Sequence, residues 1–330
     1  MLGKPVRRAK TAGGGEGRGI VLHGGGAGSM FRGMKILITG SKGQLGTDCQ
    51  ALFGAEGHEI AAYDLPDIDI ADREGMRRVL DAFRPEVLVN AAAYTAVDRA
   101  EGEGRESCWR ANRDGPKVLA ELAAERGIRL IHVSTDYVFA GDRPVPEAYV
   151  ETDEPGPTSE YGKSKLAGEE AVRAAGGEWT ILRTAWFYGA RGHNFLKAVL
   201  RRAQARPGEP LKVVADQYGS PTGSWALARQ IALVLREGAT GLFHATDEGY
   251  TTWHGFAAAF FREMGMDTVV LPCATADYPT PTKRPANSIL ENAALKARGI
   301  NAMPRWEDDL AGYVQRNREA LLAETRPAEG

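Results

Sequence analysis

Tyr161-Gly-Lys-Ser-Lys165 sets a phenol and an ammonium four residues apart. On a helix, positions i and i+4 share one face, so Tyr161 and Lys165 point together. A free phenol titrates at about 10, too high for easy proton exchange at neutral pH. A cation one turn away favours the phenolate and lowers that value. The pair suits proton transfer to or from a carbonyl–alcohol couple. Earlier in the chain, Ser134-Thr135-Asp136-Tyr137 offers a hydroxyl, Thr135, that suits holding a carbonyl oxygen. The Tyr-x-x-x-Lys spacing alone is weak and gains weight only from its surroundings.

A second group is Gly40-Ser-Lys-Gly43-Gln-Leu-Gly46, directly after the apolar run KILIT. Gly40 permits a tight turn, Gly43 lets backbone approach a pyrophosphate, and Gly46 lets a helix pack closely on the strand. The N-terminus of that helix offers free N–H groups to the anion. Asp64 closes the next strand and suits the ribose hydroxyls of the adenosine half. It favours NAD, because no arginine stands beside it to receive a 2′-phosphate. Asp69 and Ile70 follow and are placed to frame the adenine. Asn90-Ala-Ala-Ala-Tyr-Thr95 ends the third strand in small residues that let a dinucleotide lie against the backbone.

These groups need a frame, and the hydrophobic pattern supplies one. Strands are expected at 35–39, 58–64, 86–90, 129–135, 179–184 and 211–214. Between them fall helices at 44–54, 73–83, 105–126, 160–175, 194–204 and 224–236. Strict alternation of the two implies a parallel sheet covered on both faces. The fold class is therefore α/β, a Rossmann-like doubly wound parallel sheet with a smaller C-terminal substrate-binding lobe. Residues 34–185 form the dinucleotide-binding part. Residues 186–330 form mainly the second lobe, with a segment around 211–236 returning to the first sheet. Residues 1–33 are Gly-rich, lack apolar periodicity and read as a disordered extension, with Met34 as the effective start. A basic nucleic-acid arm is the alternative for that segment.

The composition fits a globular enzyme: 330 residues, 43% hydrophobic, 25% charged. A net charge of -2 provides no basic field for nucleic acid or an anionic membrane. No apolar run reaches the roughly 18 residues that span a bilayer. Cys49, Cys108 and Cys273 lie far apart, and the six histidines are scattered, so neither a disulfide framework nor a metal site is expected.

With TGSKGQLG, STDYVF and YGKSK in place, the chain resembles the extended short-chain dehydrogenase/reductases. More specific are NAAAYTAVDRAE (90–101), RTAWFYG (183–189), NF (194–195), DQYGSPT (216–222) and RPANSIL (284–290). By these the chain is similar to the dTDP-4-dehydrorhamnose reductase family. The resemblance implies Tyr161 as general acid, Lys165 as its modulator and a ribose ligand, and Thr135 on the substrate oxygen. Thr135 and Asp136 would contact the sugar and Trp186 would pack on it. Gly43, Gln44 and Leu45 would wrap the pyrophosphate. Asp64, Asp69, Ile70, Ala93, Tyr94, Thr95 and Val133 would line the dinucleotide.

The implied reaction is NADH- or NADPH-dependent reduction of a 4-keto nucleotide sugar by a cytoplasmic enzyme, and the resemblance leaves a homodimer open. Some relatives pair through a metal held by carboxylates, one on the first helix. The matching position here is Asp48, and no metal is expected. Two other readings share the motifs. One is a non-catalytic dinucleotide-binding subunit like the regulatory subunit of methionine adenosyltransferase, and the other is a nucleotide-sugar epimerase.

Overall fold

The computed structural model describes residues 20–23 and 33–326. A seven-stranded sheet carries the molecule. Its strands are β1 (Ile20–His23), β2 (Lys35–Thr39), β3 (Glu59–Tyr63), β4 (Val87–Asn90), β5 (Arg129–Thr135), β6 (Trp179–Thr184) and β7 (Gly241–His244), in the order β1-β3-β2-β4-β5-β6-β7. All neighbours are parallel except β1, which runs antiparallel to β3. The order reverses beside β2, which opens a crevice at the carboxyl ends of the strands.

Both faces of the sheet are covered, and the period-2 alternation of the strands sorts side chains between them. Ile36, Ile38, Val89, Ile131 and Leu182 pack with α1 (Gln44–Ala55) and with a later helix that supplies Leu227 and Ile231. Leu37, Leu88, Leu130 and Ile181 pack on the opposite face with α2 (Arg73–Phe83) and α3 (Gly115–Arg126). Next comes α4 (Glu160–Ala174), which contributes Val172 to that same face. In the second lobe, α5 (Phe195–Ala205) precedes α6 (Ser224–Arg236), the helix that carries Leu227 and Ile231 back to the first sheet. Two more helices, α7 (Trp253–Glu263) and α8 (Trp306–Glu324), join α5 around a separate core. That core includes Tyr188, Leu200, Phe256, Phe260 and Tyr313.

Three expectations change. The strand at 211–214 does not return to the main sheet; it pairs in parallel with Val270–Cys273. Lys212 is exposed between buried Leu211 and Val213, so only one face of this strand is covered, unlike a central strand. What returns is α6 with β7, and β7 takes the free edge of β6. The helix expected at 105–126 is broken. Arg105–Trp109 leads into a π-helical turn, Arg110–Asp114, before α3 starts at Gly115-Pro116. Proline lacks the N–H that would continue the ladder, and a Cβ on Gly115 would run into Ile70. Finally, Ile20–His23 of the Gly-rich extension form an edge strand. The run Ile-Val-Leu has strong β-propensity and meets the open edge of β3. The rest of residues 1–32 lies outside the described residues.

Candidate active site

Thr135 ends β5, and the chain then turns tightly through Asp136–Val138. The Thr135 hydroxyl donates to Asp136 Oδ1 at 2.9 Å and accepts from the Tyr137 N–H at 3.3 Å. Ser159 caps the start of α4, its Oγ accepting from Gly162 N at 3.0 Å. Tyr161 and Lys165 both face inward and are buried. Lys165 Nζ donates to the Val133 carbonyl at 2.7 Å, so α4 is docked on the last residues of β5. The structure thus brings Thr135, Tyr161, Lys165, Val133 and Asp136 together.

Burial dominates the electrostatics of the cluster. It lowers Lys165 to about 8, against the pull of the Glu169 carboxylate. It pushes Asp136 up to about 6, against hydrogen bonds from Ser288 and Thr135. It raises Tyr161 above the ordinary phenol range, with the Thr135 hydroxyl opposing. This corrects the sequence-based expectation of a phenol lowered by Lys165. Desolvation penalises the phenolate more than its surroundings stabilise it. Tyr161 therefore keeps its proton at neutral pH, as a proton donor must.

Behind this cluster stands a buried ion pair. Arg183 on β6 gives Nε and Nη2 to the two Glu169 oxygens at 2.9 and 2.8 Å. Ser134 Oγ donates to Glu169 Oε1 at 2.6 Å. Glu169 lies one turn after Lys165 on α4, so β5, β6 and α4 are locked in register next to Thr135.

Sequence reasoning missed Asn112. It lies in the π-helical turn, and its carboxamide exchanges two hydrogen bonds with the Tyr94 main chain, at 2.9 and 3.1 Å. It also donates to Ser164 Oγ at 3.1 Å. Asn112 therefore ties the strand-end loop to the helix of Tyr161. An asparagine inside a helical pattern, three residues before Gly115-Pro116, was the available signal.

The dinucleotide side is a glycine cradle. Gly40 has φ +70°, and a Cβ there would meet the main chain of Ala91 and Ala92. A Cβ on Gly46 would meet the Gly40 carbonyl. Gly43 opens α1 with no side-chain cap, which leaves first-turn N–H groups directed at the loop. Gln44 Oε1 accepts from Asn194 Nδ2 at 2.9 Å, joining the cradle to the second lobe. Leu45 is buried in the core under the loop.

Asp64 Oδ2 accepts from Lys42 N and Oδ1 from Leu65 N, each at 2.8 Å. Asp69 holds Ala71 N at 2.8 Å and Arg110 Nε at 2.9 Å. The Ile70 side chain belongs to the core beneath α2 and α3. Ala93 and Thr95 are exposed. The Lys42 ammonium, also missed, sits 3.3 Å from Asp67 and 3.1 Å from the Leu65 carbonyl, at the end of β3.

Across the crevice Trp186 adopts φ 45°, a strained conformation for a side chain of that size. Its ring stacks on Trp253 at 3.6 Å, and its Nε1 donates to Ser288 Oγ at 3.2 Å. A Cβ on Gly219 would run into Cε2 and Nε1 of the Trp186 ring, so a glycine is needed for this placement. Asp48 faces elsewhere; it accepts from Ser224 Oγ at 2.5 Å, and burial raises it. Among the described residues, no group of three or more His, Cys, Asp or Glu is placed to hold a metal, and no helix is long and apolar enough to cross a membrane.

A family model described as the RmlD substrate binding domain matches residues 34–319. The chain belongs to this family. The RmlD match covers both lobes and every site residue named above. A curated relative, the dTDP-4-dehydrorhamnose reductase of Burkholderia thailandensis, is 40% identical over 83% of this chain and 95% of its own. A solved dTDP-4-dehydrorhamnose reductase from Clostridium acetobutylicum is 39% identical. It superposes with a TM-score of 0.82, covering 86% of this chain and 99% of its own. The Bacillus anthracis dTDP-4-dehydrorhamnose reductase, solved in complex with NADP, is 35% identical. It also has a TM-score of 0.82 and covers 86% of this chain and 100% of its own.

Proposed function

We propose that this RmlD-family protein reduces the C4 ketone of dTDP-4-dehydro-L-rhamnose (dTDP-6-deoxy-L-lyxo-4-hexulose) to give dTDP-L-rhamnose. It is an NAD(P)H-dependent oxidoreductase, and its product serves rhamnose-containing surface polysaccharide. The observation that carries this reading is the buried Tyr161 on the same helix as Lys165, with Lys165 docked on the Val133 carbonyl at the carboxyl end of β5 and Thr135 closing that strand. A nicotinamide dinucleotide, when bound, supplies the hydride. The cradle fits such a group: two glycines whose Cβ atoms would collide with main chain, and an uncapped helix N-terminus for the pyrophosphate. Gly40, Gly43, Gln44, Leu45 and Gly46 would hold the pyrophosphate. Asp64, Asp69, Ile70, Ala93, Tyr94, Thr95 and Val133 would line the rest.

In this reading the Thr135 hydroxyl turns from Asp136 Oδ1 to hold the ketone oxygen, and the Tyr161 hydroxyl protonates it as negative charge develops. Lys165, fixed on the Val133 carbonyl, keeps a cation beside the phenol and reaches the ribose. Asp136 and Trp186 hold the sugar. The assembled triad disfavours a purely binding subunit, and the reductases among the relatives disfavour an epimerase. The reading places the enzyme in the cytoplasm, where sugar nucleotides and dinucleotides are available. It includes a homodimer, for which sedimentation velocity is the test.

The direct experiment mixes the purified protein with NADPH or NADH and the keto-sugar, and follows the nicotinamide absorbance. Loss of absorbance should require both the keto-sugar and the enzyme. Intact absorbance with an authentic keto-sugar sinks the proposal.

Cofactor choice gives a further expected result. Both Asp64 oxygens are already engaged by main-chain N–H groups, and the Lys42 ammonium stands near the same strand end. A 2′-phosphate there meets a cation as well as a carboxylate. Lys42→Ala should therefore raise KM for NADPH several-fold more than KM for NADH. Equal changes would show that Lys42 does not reach the 2′ position.

A further inference from the structure

Arg284 lies in the Pro-rich stretch after residue 278, outside the site described so far. Its guanidinium has two partners. Nη1 donates to the Tyr137 hydroxyl at 3.1 Å, and Nη2 donates to Asp98 Oδ2 at 2.7 Å. The Tyr137 ring meets Tyr161 edge-on, with centroids 5.4 Å apart and planes at 80°. Tyr137 is thus an aromatic neighbour packed against the Tyr161 ring. Its main chain is fixed by Thr135 Oγ1, and a Cβ on Gly162 would run into its carbonyl. Asp98 is held from the other side: Thr282 N donates to its Oδ1 at 3.4 Å, and Thr282 Oγ1 donates to the Val97 carbonyl at 3.0 Å.

Arg284 also lines a cavity of about 550 Å³ formed by the second lobe and Asp98 of the first. The charged residues there are Asp98, Arg202, Lys212 and Arg284, with Trp253 and Phe195 as an aromatic wall. Asp98 is already paired with Arg284, so the cavity carries surplus positive charge. An anion with a flat apolar end, such as the nucleoside diphosphate of a sugar nucleotide, fits that lining. A guanidinium has five N–H donors, and the two bonds above leave others to meet such an anion.

We propose that Arg284 is a positioning residue that couples the filling of this cavity to the alignment of Tyr161, acting through Tyr137. The proposal rests on the reductase reading above for its catalytic consequence. An anion drawn to the guanidinium changes how firmly the same group holds the Tyr137 hydroxyl. The Tyr137 ring transmits that to the edge of Tyr161. The bland alternative is a surface ion pair that staples a loop and contributes only stability.

The test uses the full-length protein and the variants Tyr137→Phe, Arg284→Gln, Arg284→Lys and the Tyr137→Phe/Arg284→Gln double. First, dTDP binding is titrated. Arg284→Gln should weaken it about tenfold, as loss of a charge-assisted contact does, and leave NADPH binding unchanged. Tyr137→Phe should shift dTDP affinity about fivefold in the wild-type background and hardly at all in the Arg284→Gln background, because coupling is reciprocal. Second, turnover is measured. Tyr137→Phe should lower kcat with little change in KM and displace the alkaline limb of the kcat–pH profile. Arg284→Lys should recover most dTDP affinity but not kcat, since an ammonium lacks the fork that serves two partners at once.

Equal effects of Tyr137→Phe in both backgrounds overturn the coupling. So does an Arg284→Gln protein that differs from wild type only in melting temperature, or a wild type that does not bind dTDP. Failure of the reductase reading shows separately, as a wild type without turnover, and the dTDP cycle then still decides the coupling.

Discussion

Tyr161→Phe is expected to lower kcat by about 10²–10⁴-fold, the usual contribution of a positioned general acid. The substitution keeps the ring that packs against Tyr137 and removes only the hydroxyl, so folding and dinucleotide binding should survive. Burial raises the phenol, so Tyr161 is uncharged and holds a proton throughout the neutral range. In the reductase reading the Tyr161 hydroxyl is the group aimed at the ketone oxygen as the acid, while Lys165, docked on the Val133 carbonyl, serves the ribose. The wild-type pH profile carries a second expectation. Burial brings Lys165 down to about 8, so its cation is present below that pH and lost above it. If the cation assists the developing alkoxide, kcat falls as pH rises through about 8. A Tyr161→Phe enzyme with near-normal turnover of the keto-sugar would show that the proton comes from elsewhere.

The second large effect is on stability. Glu169→Gln should destabilise the fold by roughly 3–5 kcal/mol, the cost of leaving a buried charge without its partner. Arg183 is 1% exposed, and its bonded nitrogens both go to Glu169. Against the 5–15 kcal/mol that typically holds a domain folded, that is a large share. Denaturant unfolding checks it. A Glu169→Leu/Arg183→Met double variant should be less destabilised than Glu169→Leu alone, because it removes the orphaned charge as well as the pair. Glu169 also holds Lys165 up. Its neutralisation should therefore move the alkaline limb of any residual activity to lower pH. A melting point unchanged by Glu169→Gln would mean that Arg183 finds water or another acceptor.

The legible part of this protein was its periodic part. The strands at 35–39, 129–135 and 179–184 appear as expected, because apolar runs between helix signals admit few other readings. The sequence also indicated that Tyr161 and Lys165 share one helix, since i and i+4 geometry is local. Pairing partners were not legible. Leu211–Val214 carries a strand pattern, yet nothing local says that Val270–Cys273, rather than the main sheet, will take its edge. The ionisation of Tyr161 was misread for a similar reason. The i+4 lysine is visible in sequence, but the desolvation that raises the phenol depends on everything packed around the ring. Asn112 and Arg284 were hidden because their partners, Tyr94 and Tyr137, are distant in sequence.

The return of α6 and β7 to the first sheet has a practical consequence for anyone cutting this gene. A fragment ending near residue 188 would not be a dinucleotide-binding domain. It would carry β6 with its edge open where β7 belongs. Cys49 and Phe53 on α1 would lose the cover of Leu227 and Ile231 from α6. The complementary fragment would contain α6 with its apolar face unmatched. The two halves are interleaved along the chain, so they belong to a single cooperative unit of expression, and no single break separates cofactor side from substrate side.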